Sequence, residues 1–161
     1  MEIFGFRVEV IFLLSKNEIL AYAWHHTKEK ALKHMNKIID FHDLNGEIMA
    51  SKEMEIWLER WLDAVILQGK KFKLPKFEYK NKEIYEALLD IPKGKTIKYS
   101  EVARTSGFKF SDVLITLMRN PFQILIPCHR LITNKGSLMG FYPLGIELKK
   151  KLLEMEGVKI E

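Results

Sequence analysis

The sequence predicts an α+β fold in two parts, 1–74 and 75–161, and three observations predict it. Apolar, β-branched runs separated by a turn open the chain. Helical periodicity dominates after residue 27. A lysine-rich connector at 72–80, containing Pro75, separates two helical stretches. With 161 residues the chain can bury one sizeable core or two small ones packed together. An apolar content of 47% and a charged content of 29% are globular values and argue against disorder.

The run 4–14 is rich in Phe, Val and Ile, Asn17-Glu18 suits a turn, and 19–24 is again apolar, which predicts a hairpin. Thr27 can cap a helix reaching Ile39, with Ala31, Leu32, Met35, Ile38 and Ile39 on one face. Residues 46–50 suit a short strand. Ser51 caps a second helix in which Met54, Trp57, Leu58, Trp61, Leu62, Val65 and Ile66 keep helical spacing, a core stripe that ends at Gln68-Gly69. In the second part Asn81 caps a helix with Ile84, Tyr85, Leu88 and Leu89 inward, and 91–95 breaks it around Pro92 and Gly94. Ser100 caps a short helix over 101–105, Ser106-Gly107 turns the chain, and Ser111 caps a helix running to Arg119. Two helices around a glycine turn form the helix-turn-helix pattern, whose DNA-binding versions place the second helix in a groove. Asn120-Pro121 stops that helix, 131–133 reads as a strand, 134–136 as a turn, and 144–156 as an amphipathic helix ending at Gly157.

The formal charge of +5 permits a polyanionic partner, although lysines such as Lys70, Lys71, Lys73 and Lys76 also suit a solvated surface. No apolar run approaches the length of about 18 residues that would span a bilayer, and no signal segment opens the chain. A cytoplasmic, monomeric protein without a membrane association is the expectation. Cys128 is the only cysteine, which excludes an internal disulfide and a cysteine-rich zinc site. His25, His26, His34 and His42 match no metal spacing and read as surface or satisfied side chains. No metal site is expected from this spacing.

Cys128 sits in the stretch Asn120-Pro121-Phe122-Gln123-Ile124-Leu125-Ile126-Pro127-Cys128-His129-Arg130. A lone cysteine is commonly a small buried hydrophobe. Here an imidazole and a guanidinium follow it directly, the kinds of group that lower a thiol pKa and make the reactive thiolate. Asn120-Pro121 with Ile126-Pro127-Cys128-His129-Arg130 resembles the signature of the O6-alkylguanine-DNA alkyltransferases. Matching segments are Ile97-Lys98-Tyr99-Ser100, Gly140-Phe141-Tyr142 and Glu154-Met155-Glu156-Gly157. The resemblance covers roughly 76–157. It implies a small ribonuclease-H-like α/β N-terminal domain and a mainly helical, winged helix-turn-helix-like C-terminal domain.

The resemblance further implies direct, single-turnover repair of DNA containing O6-alkylguanine, with neither a metal nor an organic cofactor. Cys128 would accept the alkyl group, His129 would take its proton through a water, and Glu156 would orient His129. Tyr99 would protonate the expelled guanine, and Asn120 would hinge the recognition helix to the active-site turn. Tyr99, Arg130, Leu131, Tyr142 and Pro143 would line the base pocket. Lys109, Phe110, Ser111, Asp112, Leu114, Ile115 and Arg119 would face DNA in the minor groove.

The match has three departures. Ser111 stands where the family carries an arginine that fills the gap left by the flipped base, and Lys109 or Phe110 are the nearby candidates for that work. Leu114, Ile115 and Thr116 stand where the family helix carries small residues. Pro143 has no N–H at a position where the family donates one to the base oxygen. A lesion-binding sensor without transfer, or transfer from a different alkylated base, is the alternative these departures leave open.

Overall fold

The computed structural model of the chain describes residues 1–136 and 145–159. It is a mixed helix and sheet structure, as the sequence predicts. The chain opens on a two-residue antiparallel pair, β1 (Glu2–Ile3) and β2 (Phe6–Arg7), joined through Phe4 and Gly5. Both linking residues have positive φ (48° and 91°), which breaks the single strand expected from residue 4. The hairpin proper is β3 (Glu9–Ser15) and β4 (Glu18–His25). Its two turn residues, Lys16 and Asn17, both have positive φ (50° and 65°), the backbone of a type I′ turn that matches strand twist.

A third strand, β5 (Glu47–Met49), pairs antiparallel with β3, giving the order β4-β3-β5. Paired residues share a face, so Val10, Phe12, Tyr22 and Trp24 lie on one side of the sheet. Ile11, Leu13, Ala21 and Ala23 lie on the other, and all eight are buried. Helix α1 (Lys28–His42) packs against β3 and β4, with Ala31, Met35 and Ile38 inward. Helix α2 (Lys52–Ile66) buries Leu58, Leu62, Val65 and Ile66. Both N-caps are those expected. Thr27 Oγ1 accepts from Lys30 N and Ser51 Oγ from Met54 N, each at 3.2 Å.

Beyond the connector come α3 (Lys82–Leu89), β6 (Ile97–Lys98), α4 (Tyr99–Ser106) and α5 (Phe110–Met118). A 3-10 turn over Cys128–Arg130 follows, then β7 (Leu131–Ile132) and α6 (Ile146–Met155). Strands β6 and β7 pair in parallel, Ile97 with Leu131 and Lys98 with Ile132. Three expected caps are corrected. Lys98 and Lys109 precede α4 and α5 in extended conformation, so Ser100 and Ser111 fall inside the helices. Ser100 Oγ instead donates to Asn134 Oδ1. Asn81 does precede α3, but its amide donates to Thr116 Oγ1 at 2.9 Å rather than capping.

The sheet reaches the second part directly. Tyr22 N–H donates to Pro121 O at 3.0 Å, the Tyr22 hydroxyl donates to Gln123 O, and the Tyr22 ring meets Phe122 edge-on. His42 extends the contact. Its Nδ1 accepts from Lys80 N–H at 3.0 Å, which leaves the proton on Nε2 to donate to Arg119 O at 2.9 Å. Among the described residues no helix is long and apolar enough to cross a membrane.

His34 and His42 are both buried, and burial first, with nearby cations for His34, lowers each to about 4. In the unfolded chain they titrate near 6.5. Between these values the unfolded state binds more protons, so stability falls as pH drops from about 6.5 to about 4. Denaturant midpoints measured from pH 7 down to pH 5 are expected to decline. A flat profile would contradict two neutral interior histidines.

Candidate active site

The site is assembled from three segments: the start of α4, the 120–131 stretch, and one face of α6. Asn120 organises the middle one. Its Oδ1 accepts from Phe122 N–H at 2.8 Å and its Nδ2 donates to Ile126 O at 3.1 Å, closing the turn between them. The same Nδ2 lies 3.6 Å from Cys128 Sγ. Inside this turn Ile124 adopts φ 76°, a conformation that β-branched residues rarely take. Ile124, Leu125 and Ile126 are completely buried, so packing holds the strained backbone in place.

Cys128 is buried, and its thiol pKa is raised. Burial is the main cause, opposed by the Asn120 hydrogen bond, the positive charge of Lys149 and backbone hydrogen bonds at Ile124 and Cys128. This corrects the expectation that His129 and Arg130 would depress it. The cation that lowers it is Lys149, and Arg130 is engaged by Glu156.

Arg130 is buried against Glu156. Its Nε lies 3.0 and 3.2 Å from the two carboxylate oxygens, Nη2 donates to Oε2, and Nη1 donates to Ile91 O at 2.6 Å. Glu156 Oε1 also lies 3.0 Å from His129 Nε2. Burial pushes the Glu156 carboxyl up, but the hydrogen bonds from His129 and Arg130 outweigh it and hold it below its ordinary range. An ionised carboxylate can only accept, so His129 carries its proton on Nε2 and presents a bare Nδ1 lone pair. Nδ1 is buried and has no protein hydrogen-bond partner among the described residues. Burial, only partly offset by Glu156, lowers the His129 pKa and keeps the ring neutral.

The third element is a buried pair. Lys149 is 1% exposed and its Nζ donates to the Tyr99 hydroxyl at 2.7 Å. Burial lowers Lys149 to about 8, and burial followed by the Cys128 charge raises the Tyr99 phenol above its ordinary value. Sequence reasoning passed over Lys149. Its signal was available: it lies seven residues before Glu156, hence on the same helical face, among Leu148, Leu152 and Leu153.

Leu131 is wholly buried beside this cluster in β7. Tyr142 and Pro143, the other pocket candidates, lie outside the described residues, as does the 137–144 segment where a wing would fall. On α5, Lys109, Phe110 and Ser111 are exposed, while Asp112, Leu114, Ile115 and Arg119 are half-buried. Thr116 is corrected from a surface to an interior position. It is fully buried and its hydroxyl donates to Asp112 O while accepting from Asn81. Among the described residues no cluster of three or more His, Cys, Asp or Glu could hold a metal.

Residues 80–158 match the family model described as the DNA-binding domain of 6-O-methylguanine DNA methyltransferase. The resemblance lies in the C-terminal part of the chain. A methylated-DNA–protein-cysteine methyltransferase of Methanothermobacter thermautotrophicus is 45% identical over 84 residues, 52% of this chain and 47% of that protein. The chain spans about half the length of the curated relatives it matches. Among solved structures, the O6-methylguanine-DNA methyltransferase of Pyrococcus kodakaraensis KOD1 superposes with TM-score 0.69 at 25% identity, covering 95% of this chain and 96% of that one. One from Methanococcus jannaschii gives TM-score 0.61 at 22% identity, covering 96% and 90%, and so shares the fold. The fold likeness therefore extends over nearly the whole chain, while the family model matches residues 80–158.

Within that domain, Asn120→Asp keeps the acceptor to Phe122 but removes the donor to Ile126 and Cys128. Its thiol pKa is expected to rise further, slowing iodoacetamide alkylation at neutral pH by about tenfold per pKa unit. Equal alkylation rates in the two proteins would remove Asn120 from the control of the thiol. Arg130→Met leaves Glu156 buried without its cation. A loss of about 3–5 kcal/mol in unfolding free energy is expected from denaturant titration.

Proposed function

We propose that the chain is a DNA alkyltransferase that moves the alkyl group of an O6-alkylguanine onto Cys128, once per molecule. The observation that carries the reading is a buried thiol within reach of the Asn120 amide, in the same 3-10 turn as a His129 whose tautomer is fixed by Glu156. In this reading the thiol rests protonated because it is buried. His129 Nδ1 takes its proton through one bridging water, and Glu156 holds the resulting imidazolium. The sulfur attacks the alkyl carbon in line, an S–C bond forms, and the C–O6 bond breaks with its electron pair going to guanine. Tyr99 protonates the guanine. Because its oxygen accepts from Lys149, its own proton is directed outward to the base. No metal or organic cofactor takes part.

The partner is DNA carrying the lesion, and the base is rotated out of the duplex into the pocket. We assign the pocket to Tyr99, Leu131, Tyr142 and Pro143, with Arg130 holding it through Glu156, and DNA contact to the exposed side of α5. Residues 1–74 form the N-terminal ribonuclease-H-like unit and 75–161 the alkyltransferase unit. The protein acts as a monomer in the cytoplasm.

Incubation with O6-methylguanine DNA is expected to add one methylene to the peptide containing Cys128, read by mass spectrometry. Cys128→Ser abolishes the gain, and Glu156→Gln slows it by about 100-fold. Tight, lesion-dependent binding with an unmodified thiol would identify a sensor instead. That outcome would overturn transfer.

A further inference from the structure

Outside the Cys128 site, the segment that connects α2 to α3 borders two clefts that the proposed chemistry leaves unused. One, of about 340 Å³, is lined by Asn17 and Glu18 of the β3–β4 turn, by Ile19, and by Trp57 and Trp61 of α2. The other, of about 600 Å³, is lined by Lys71, Lys73, Lys76 and Lys82, with Leu74 and Leu89 as its apolar part. Phe72, Lys73 and Pro75 line both, so the clefts meet across one short stretch of chain. Both volumes fall in the range of about 300–1,000 Å³ that ligand sites occupy.

The two clefts divide the chemistry between them. The smaller is aromatic. Trp57 and Trp61 stand one helical turn apart, and both pack on the buried Phe72 ring, with centroids 6.5 and 5.0 Å away. Each indole is only half-buried, so part of its ring surface is left to the cleft. Asn17 adds an amide that can donate and accept, and Glu18 a carboxylate that can only accept. The larger cleft is cationic. Its two acids are already engaged, Asp90 by Lys71 at 2.7 Å and Glu86 by Lys82 at 3.9 Å. Lys73 and Lys76 are left exposed and without a salt bridge among the described residues.

We propose that this double cleft binds an unpaired nucleotide, with its base in the aromatic part and its phosphate over Lys73 and Lys76. Aromatic faces for bases beside a cationic track for phosphates are the combination that holds single-stranded nucleic acid. The nucleotide is either free or part of an unpaired strand, and the chemistry it offers is the same. An acidic peptide would also satisfy the lysines, but its charges would meet Glu18 at the aromatic end. A base is uncharged there, and its N–H groups can donate to Glu18 and Asn17. A base inside a duplex has its edge paired and its faces stacked, so duplex DNA does not enter. The cleft is therefore a site apart from α5 and serves a purpose other than alkyl transfer.

Tryptophan fluorescence reads the cleft directly. Of the three tryptophans, Trp24 is fully buried in the sheet and the other two line the cleft. Titrating the full chain with a short oligothymidylate is expected to quench the emission, and a blunt duplex is expected to leave it unchanged. Thymidine monophosphate is titrated alongside: quenching by both makes the ligand a single nucleotide, and quenching by the oligomer alone makes it a strand. Reversing both exposed charges, Lys73→Glu with Lys76→Glu, is expected to weaken binding by about tenfold or more at low salt. Trp61→Ala weakens it by about tenfold and Trp61→Phe restores it, because any aromatic face can stack a base. Lys109→Glu on α5 leaves the quench in place. No quench by either nucleotide, a quench that survives the double charge reversal, or an equal quench by a phenylalanine-containing oligoglutamate peptide would overturn the proposal. The measurement makes no use of Cys128, so its outcome is independent of alkyl transfer.

Discussion

The buried carboxylate of Glu156 is the constraint on which the rest of the site depends. A lone carboxylate in the interior would carry a desolvation penalty of several kcal/mol and would protonate instead. Arg130 and His129 prevent this by converging on it from consecutive positions of one 3-10 turn. The consequence is positional. With Glu156 at the C-terminal end of α6, the ion pair fastens that helix to the turn that begins at Cys128. Arg130 Nη1 extends the fastening to Ile91 O, where α3 has just ended. One charge thus locates three chain segments and fixes the His129 tautomer, and its low pKa keeps both effects in force at neutral pH.

The turn before Cys128 is constrained from the opposite side. Asn120 closes it with side-chain bonds to Phe122 and Ile126, and Tyr22 of the sheet binds Pro121 and Gln123. These contacts explain how Ile124 can persist at φ 76°. Relaxing that residue would break bonds reaching both the N-terminal sheet and the sulfur. The N-terminal sheet therefore helps hold the turn before Cys128 without placing one of its own side chains against the sulfur. His42 acts similarly on the end of α5, holding Arg119 O from α1.

Legibility in the sequence followed the range of the interaction involved. Thr27 and Ser51 were readable as caps because each needs only the backbone three residues on. Ser100 and Asn81 were misread because tertiary partners, Asn134 and Thr116, claim their side chains. Ser111 was misread because inward placement of Val113 and Thr116 starts α5 two residues earlier than the serine suggests. In the site, the motif brought out Cys128, His129, Asn120, Tyr99 and Glu156, and the structure gathers them around one cluster. Nearness in sequence misled for Arg130, because its guanidinium is taken up by Glu156 and Ile91 O. Lys149 was hidden for the converse reason. Its importance depends on which face of α6 meets the cysteine turn, and that is a tertiary fact.

The raised thiol pKa follows from the same packing and bears on how, under the proposed single use, a nucleophile would survive until it is needed. An exposed thiolate beside cations would react with any passing electrophile or oxidant. Cys128 is buried and held in its thiol form, while groups able to support the thiolate, Asn120 and Lys149, are already in place. In the proposed transfer, activation would require a base at hand and a substrate that excludes water, not a rearrangement of the site. Lys149 lowers the thiol pKa through its charge and donates to Tyr99, so in the proposed transfer one buried cation would bear on both the sulfur and the group that protonates the base. Such coupling is what a preorganised site supplies in place of solvent reorganisation.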